Sequence, residues 1–144
     1  MLFISFVIVV VGGYGYKNVA LNHEAAHYEY GFYPYENLNG LKMRWIGQKD
    51  FWRGSVRGDL LNLDIYAMPY NIHSGGLNLR LFLNGRLVDE VKFAKSEKKH
   101  LQYHIANQRN ELVEVKMVVD RTFNPSRLRM NTDTRNLGIM VSEI

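Results

Sequence analysis

The string His23-Glu24-Ala25-Ala26-His27 has a spacing that could do chemistry. On a helix, two imidazoles four residues apart share one face and can hold a zinc ion, while the carboxylate between them polarises a bound water. The surroundings do not complete such a site. A zinc protease needs a third protein ligand, and the extended motif requires a glycine and a further histidine where Tyr30 and Tyr33 stand. Glu29 is charged where that consensus is apolar. The string is therefore read as a chance match in a solvated juxtamembrane segment. A zinc hydrolase on His23, Glu24 and His27 is kept as the last alternative, and no metal or other cofactor is expected.

The remaining polar residues suggest binding or bracing. Glu36, Arg44 and Trp45 read as an arginine–carboxylate bridge across a strand end beside a core tryptophan. Asp133 and Arg135 read as a local bridge that pins the loop before the last strand. Glycan recognition would need rings presented flat to solvent, with amide or acid groups nearby. Trp52 leads the candidates, because it alternates with Phe51 and one of the two must face outward. Tyr70, Asn71 and His73, in the connection spanning 68–76, are its neighbours, with Tyr66 and Phe82 as further outward rings. Asp64 and Asp89 are carboxylates whose separation the sequence does not fix, so a glycosidase pair has no support. The chain shows no Ser-His-Asp order and no phosphate loop.

A length of 144 residues gives room for one domain with a real core, and a hydrophobic content of 47% is that of a folded chain. The absence of cysteine excludes a disulfide framework and thiolate metal sites. A net charge of +4 is mild. Lys92, Lys95, Lys98 and Lys99 form one basic cluster, and Arg121, Arg127, Arg129 and Arg135 another. These read as solvated faces, or as contacts for anionic headgroups or acidic glycans. No nucleic-acid partner is expected.

The chain divides by composition into an apolar segment (1–16), a stalk with helical character (17–30) and an alternating domain (31–144). In the first segment, the apolar run from Leu2 to Val11 is only half the ~20 residues that a membrane-crossing helix needs. It lacks the basic start and the small-residue cleavage site of a signal peptide. It is read as a membrane anchor, either short or the outer end of a longer helix. Tyr14 and Tyr16 would then stand at the interface, with lipid as a partner.

From residue 31 onward, period-two alternation predicts strands over 41–46, 51–56, 60–67, 77–83, 86–93, 100–105, 112–120 and 137–144. Residues 47–50 are expected to turn. Leu41, Met43 and Trp45 should share a face, as should Leu61, Leu63 and Ile65, and Val113, Val115, Met117 and Val119. Asn84-Gly85 should form a two-residue hairpin turn, since both tolerate positive φ. The spacing of strands and turns predicts an all-β, antiparallel, jelly-roll-like β-sandwich.

The strings Gly31-Phe32-Tyr33…Glu36…Gly40…Arg44-Trp45, Leu83-Asn84-Gly85-Arg86-Leu87-Val88 and Thr122-Phe123-x-Pro125…Asp133-x-Arg135-x-Leu137-Gly138-Ile139-x-Val141 agree in order and spacing with a known domain. Residues 31–144 thus resemble a membrane-proximal β-sandwich that follows the last transmembrane helix of bacterial polyprenyl-phosphate-sugar-dependent glycosyltransferases, or stands beside a lone transmembrane helix. The resemblance implies an extracytoplasmic (periplasmic) position at the inner or cytoplasmic membrane. It also implies an accessory role, and it carries no catalytic residue over. The expected function is non-catalytic carbohydrate recognition in envelope glycan assembly, with an envelope glycan or a polytopic membrane protein as partner. The alternative is a structural or protein-interaction module that docks on a membrane partner.

Overall fold

The computed structural model describes residues 27–56, 58–72, 75–105 and 112–144. The apolar segment and most of the stalk, including His23 and Glu24, lie outside these residues, as does His73. The described residues form an all-β sandwich. Its strands are β1 (Tyr28–Leu38), β2 (Leu41–Ser55), β3 (Leu60–Ala67), β4 (Leu77–Leu83), β5 (Arg86–Phe93), β6 (Glu97–His104), β7 (Leu112–Val119) and β8 (Met140–Ser142), with one 3-10 turn at Pro69–Asn71. Every strand pairing is antiparallel.

The strand order is β5-β4-β7-β2-β8-β3-β6, with β1 paired to β2. The layering follows from β2, which takes part in both sheets. Its C-terminal half pairs with β7, and its N-terminal half pairs with β8. The first sheet is therefore β5-β4-β7-β2-β1, and the second is β6-β3-β8-β2-β1. One core fills the space between them. Leu77, Leu79, Leu81 and Leu83 of β4 join Val113, Val115, Met117 and Val119 of β7 on one side. Leu61, Leu63 and Ile65 of β3 and Val141 of β8 meet them from the other. On β3 and β4 the inward residues alternate with exposed or half-buried ones, the pattern of a half-buried strand.

Three expectations about elements are corrected. The stalk does not reach Tyr30, because β1 begins at Tyr28. Alternation hides this strand, since its register with β2 shifts between Tyr30 and Phe32 and again between Phe32 and Tyr35. Nor do residues 47–50 turn. They continue β2 and bulge opposite Gly31, which stands between the Tyr30↔Phe51 and Phe32↔Ile46 pairs. Gly31 has φ +85, and a Cβ there would lie 2.3 Å from the Lys49 carbonyl, so only glycine fits. The last strand is shorter than expected, with Leu137 in an isolated bridge to Phe123 instead.

A second apolar cluster lies on the outer side of the second sheet. Met43, Trp45 and Met140 are covered there by Phe123 and Leu137 from the segment between β7 and β8. Trp45 meets Phe123 edge-on, with ring centroids 5.6 Å apart. Leu41, expected on the same face as Met43 and Trp45, is exposed at the start of β2.

Candidate functional site

The first residues to place are those of the His-Glu-x-x-His string. His27 is the described member, and it directly precedes β1. Its Nε2 lies 3.4 Å from the Glu29 carboxylate, and its ring meets Trp52 edge-on at 5.8 Å. Among the described residues, no group of three His, Asp or Glu side chains could hold a metal.

Trp52 does not face solvent. It is 5% exposed and belongs to the central core. The pairing with β7 sets this parity, because Trp52 stands opposite the buried Val115 and Phe51 opposite the exposed Lys116. Asn71 is also a structural residue rather than a ligand. It is 1% exposed, and its Nδ2 donates to the carbonyls of Arg121 and Gly138, each at 3.0 Å. That pair of bonds ties the 3-10 turn to the segment that covers Trp45. Tyr70 is open, at 48% exposure, with its ring 5.9 Å from that of Phe123.

The charged residues singled out in the sequence exchange partners. Arg44 does not pair with Glu36. Its guanidinium reaches Glu29 at 2.9 Å and lies over the rings of Phe32 and Tyr35, 3.8 and 4.7 Å from their centroids. Glu36 instead accepts from Arg135 at 2.9 Å, and Arg135 grips Asp133 at 2.7 Å. The hydrogen bonds from Arg135 hold the Asp133 carboxyl below its ordinary range. The two motifs thus become one brace, Glu36–Arg135–Asp133, between β1 and the loop before β8. Asn84 and Gly85 form the expected turn with φ of 49° and 78°. Asn84 Oδ1 accepts from the Glu114 amide at 2.9 Å, which anchors the turn to β7.

The two carboxylates left open by the sequence lie on different sheets. Asp64, on the outer face of the second sheet, bonds His100 Nδ1 at 2.9 Å and lies 3.3 Å from Lys98. The hydrogen bond to His100, with help from Lys98, lowers its pKa. Asp89 accepts from the Tyr103 hydroxyl at 2.8 Å. They do not form an acid pair. Asp50, which the sequence did not single out, is buried at 1% exposure with neither carboxylate oxygen hydrogen-bonded by a side chain. Burial raises its pKa well above the ordinary carboxylate range, against the opposing field of Arg44.

The exposed face of the first sheet brings together residues the sequence does not link. Phe51 pairs with Lys116, Lys116 with Phe82, Phe82 with Leu87, and Phe51 with Tyr30. Directly opposed residues point to the same face. The result is a single row, Tyr30–Phe51–Lys116–Phe82–Leu87, that crosses all five strands at about 4.8 Å per strand. Tyr30 is 43% exposed and Leu87 50%, while Phe51 and Phe82 are half-buried. The Lys116 ammonium stands 5.0 Å from the centroid of Phe82. Tyr28 extends the apolar surface, with its ring 5.6 Å from that of Phe51.

Polar side chains border this row on both sides. Arg53 and Glu114 approach to 3.8 Å on one flank. On the other, Arg80, Val118 and Lys49 stand in register across β4, β7 and β2. Two shallow grooves end this flank, one lined by Asn78, Arg80, Glu90, Lys92 and Asp120, the other by Tyr30, Gly31, Gln48 and Lys49 among others. Partly exposed rings with hydrogen-bonding groups alongside can pack on an apolar face of a ligand and orient its polar edges. Alternation within β2 was the sequence signal for Phe51. The cross-strand register that aligns it with Phe82 and Tyr30 has no signature in one sequence.

No protein-family model and no curated protein matches the chain. Among solved structures, a family 35 carbohydrate binding module from Clostridium thermocellum is similar, with a TM-score of 0.40 and 12% identity over 83% of this chain and 98% of that one. A likeness at that level assigns neither a family nor a ligand.

Proposed function

We propose that this chain is a non-catalytic carbohydrate-recognition module of jelly-roll-like form that binds glycans on the exposed face of its first sheet. One observation carries the reading: the row Tyr30–Phe51–Lys116–Phe82–Leu87, continuous across five strands and flanked by polar side chains. Sugar hydroxyls exchange hydrogen bonds with water at little net gain, so affinity for a glycan comes chiefly from apolar contact with rings. Rings half-buried in a sheet have little freedom left to lose, so binding costs them little entropy. A row that long suits a chain of sugars rather than a single one.

The setting is proposed from sequence. The apolar stretch 1–16 supports a membrane anchor, with the sandwich on the extracytoplasmic side and a role in envelope glycan assembly. Among the described residues, no helix is long and apolar enough to cross a membrane. Calorimetric titration of a panel of neutral and acidic oligosaccharides tests the binding reading. At least one should bind, and longer chains should bind more tightly than their monosaccharides. If none binds, the exposed row is better read as a docking surface for a protein partner.

A further inference from the structure

Resting on the glycan-binding reading, we infer that the ligand is an acidic glycan, a sugar chain carrying carboxylate or phosphate groups at regular intervals. The ground is the distribution of charge on the aromatic face. Lys49 on β2, Lys116 on β7, Arg80 on β4 and Lys92 on β5 put one outward cation on each of four consecutive strands. Among the described residues, none of the four has an ion-pair partner within 4.0 Å, whereas Arg53 on the opposite flank is matched by Glu114. The acids of the face are largely engaged. Asp120 accepts from the Asn78 amide at 3.1 Å and from its Nδ2 at 2.9 Å, and lies 3.6 Å from Arg121. Glu90 stands opposite Arg80 in register without closing to an ion pair.

Three strand steps separate Lys49 from Lys92, about 14 Å across the strands and more with the two-residue offset of Lys92 along β5. That exceeds the screening length of about 8 Å at physiological salt, so each cation acts on the part of a bound polymer nearest to it. Lys116 stands in the ring row, between Phe51 and Phe82; Lys49 and Arg80 stand one register step beside it, both opposite Val118; and Lys92 stands a further step away, opposite Asn78. A chain stacked along the rings would therefore carry its anionic groups past Lys49, Lys116 and Arg80. A bilayer fits less well, because it takes up rings that protrude, whereas Phe51 and Phe82 are half-buried in the sheet.

The test uses the full chain in mild detergent against four probes. These are polygalacturonate, a teichoic-type polymer of sugar phosphates, a neutral glucan of similar length, and oligo(dT). One of the two acidic glycans should bind at least tenfold more tightly than the neutral glucan, and which one identifies carboxylate or phosphate as the partner. Replacement of Lys49, Arg80 and Lys116 together by glutamine should remove about tenfold of that affinity, with each single change costing about twofold. Raising the salt should weaken acidic-glycan binding and leave neutral-glycan binding unchanged. Equal binding of neutral and acidic glycans would overturn the inference and leave the glycan reading standing. Binding of oligo(dT) more tightly than any glycan would overturn both, as would binding of none of the four. Unchanged thermal midpoints in the glutamine variants, expected for exposed positions, separate lost contact from lost fold.

Discussion

Tyr103 on β6 donates its hydroxyl to the Asp89 carboxylate on β5 at 2.8 Å. These strands are the outer edges of the two sheets, so the bond joins the layers on the side opposite the β1–β2 hairpin. Lys99 adds a second tie, its ammonium donating to the Lys92 carbonyl at 2.9 Å. At the hairpin side β2 itself runs through both sheets. The sandwich is thus closed covalently on one side and by side chains on the other.

Tyr103→Phe should destabilise the domain by about 1–3 kcal/mol, since it removes a charge-assisted bond and leaves a half-buried carboxylate unsatisfied. Urea unfolding gives the value. A change below about 0.5 kcal/mol would mean that water replaces the hydroxyl at this edge.

Asp50 should make stability fall with rising pH. Its folded pKa is raised by burial, so the folded state holds a proton that the unfolded state releases near pH 3.8. The contribution is fully present below that unfolded value and is lost as pH rises through the raised folded pKa. Asp50→Asn should remove this slope and raise the melting temperature at neutral pH. Melting curves from pH 4 to 8 check the sign. A wild-type stability that rises across the window together with an unchanged Asn variant would place the titration elsewhere.

Gly31 and Gly85 offer a contrast between two costs of glycine replacement. Both have positive φ, but a Cβ at Gly85 meets nothing within 4 Å, whereas one at Gly31 would lie 2.3 Å from the Lys49 carbonyl. Gly85→Ala should cost about 1 kcal/mol, the conformational term alone. Gly31→Ala should cost more, about 3 kcal/mol or above, because the β1–β2 bulge must open. Equal losses in denaturant unfolding would show that the bulge yields easily.

The alternating strands were legible in the sequence where one face is buried and the other is wet. Leu77, Leu79, Leu81 and Leu83 announce β4, and Asn84-Gly85 announces its turn, because both signals are local. The same logic put Trp52 rather than Phe51 outward, and wrongly. Alternation says that one of them faces out, but only the β7 register, with Trp52 opposite Val115, says which. β1 was missed because its bulges break the period. Arg44 and Arg135 were recognised as bridging residues, yet their partners depend on how β1 bends past β2. The binding row was illegible for the same reason, since it runs across strands far apart in sequence.

The apolar segment 1–16 should govern partition. The full chain should sediment with vesicles, and a chain beginning at residue 27 should remain in the supernatant with a cooperative melt. Co-sedimentation of both would move the membrane contact onto the sandwich. Failure of the shorter chain to fold would make residues 1–26 part of its core.

The comparison of Phe51→Ala with Trp52→Ala tests the central claim most directly. Both are measured by melting temperature and by titration with whichever glycan of the panel binds most tightly. Phe51→Ala should lower affinity at least tenfold, about 1.4 kcal/mol, and leave the melting temperature within a few degrees of wild type. Trp52→Ala should destabilise the fold by about 3–5 kcal/mol, as removal of a core ring does. Undiminished glycan binding by a folded Phe51→Ala protein would contradict the account, because the row across the first sheet would then not be the binding surface.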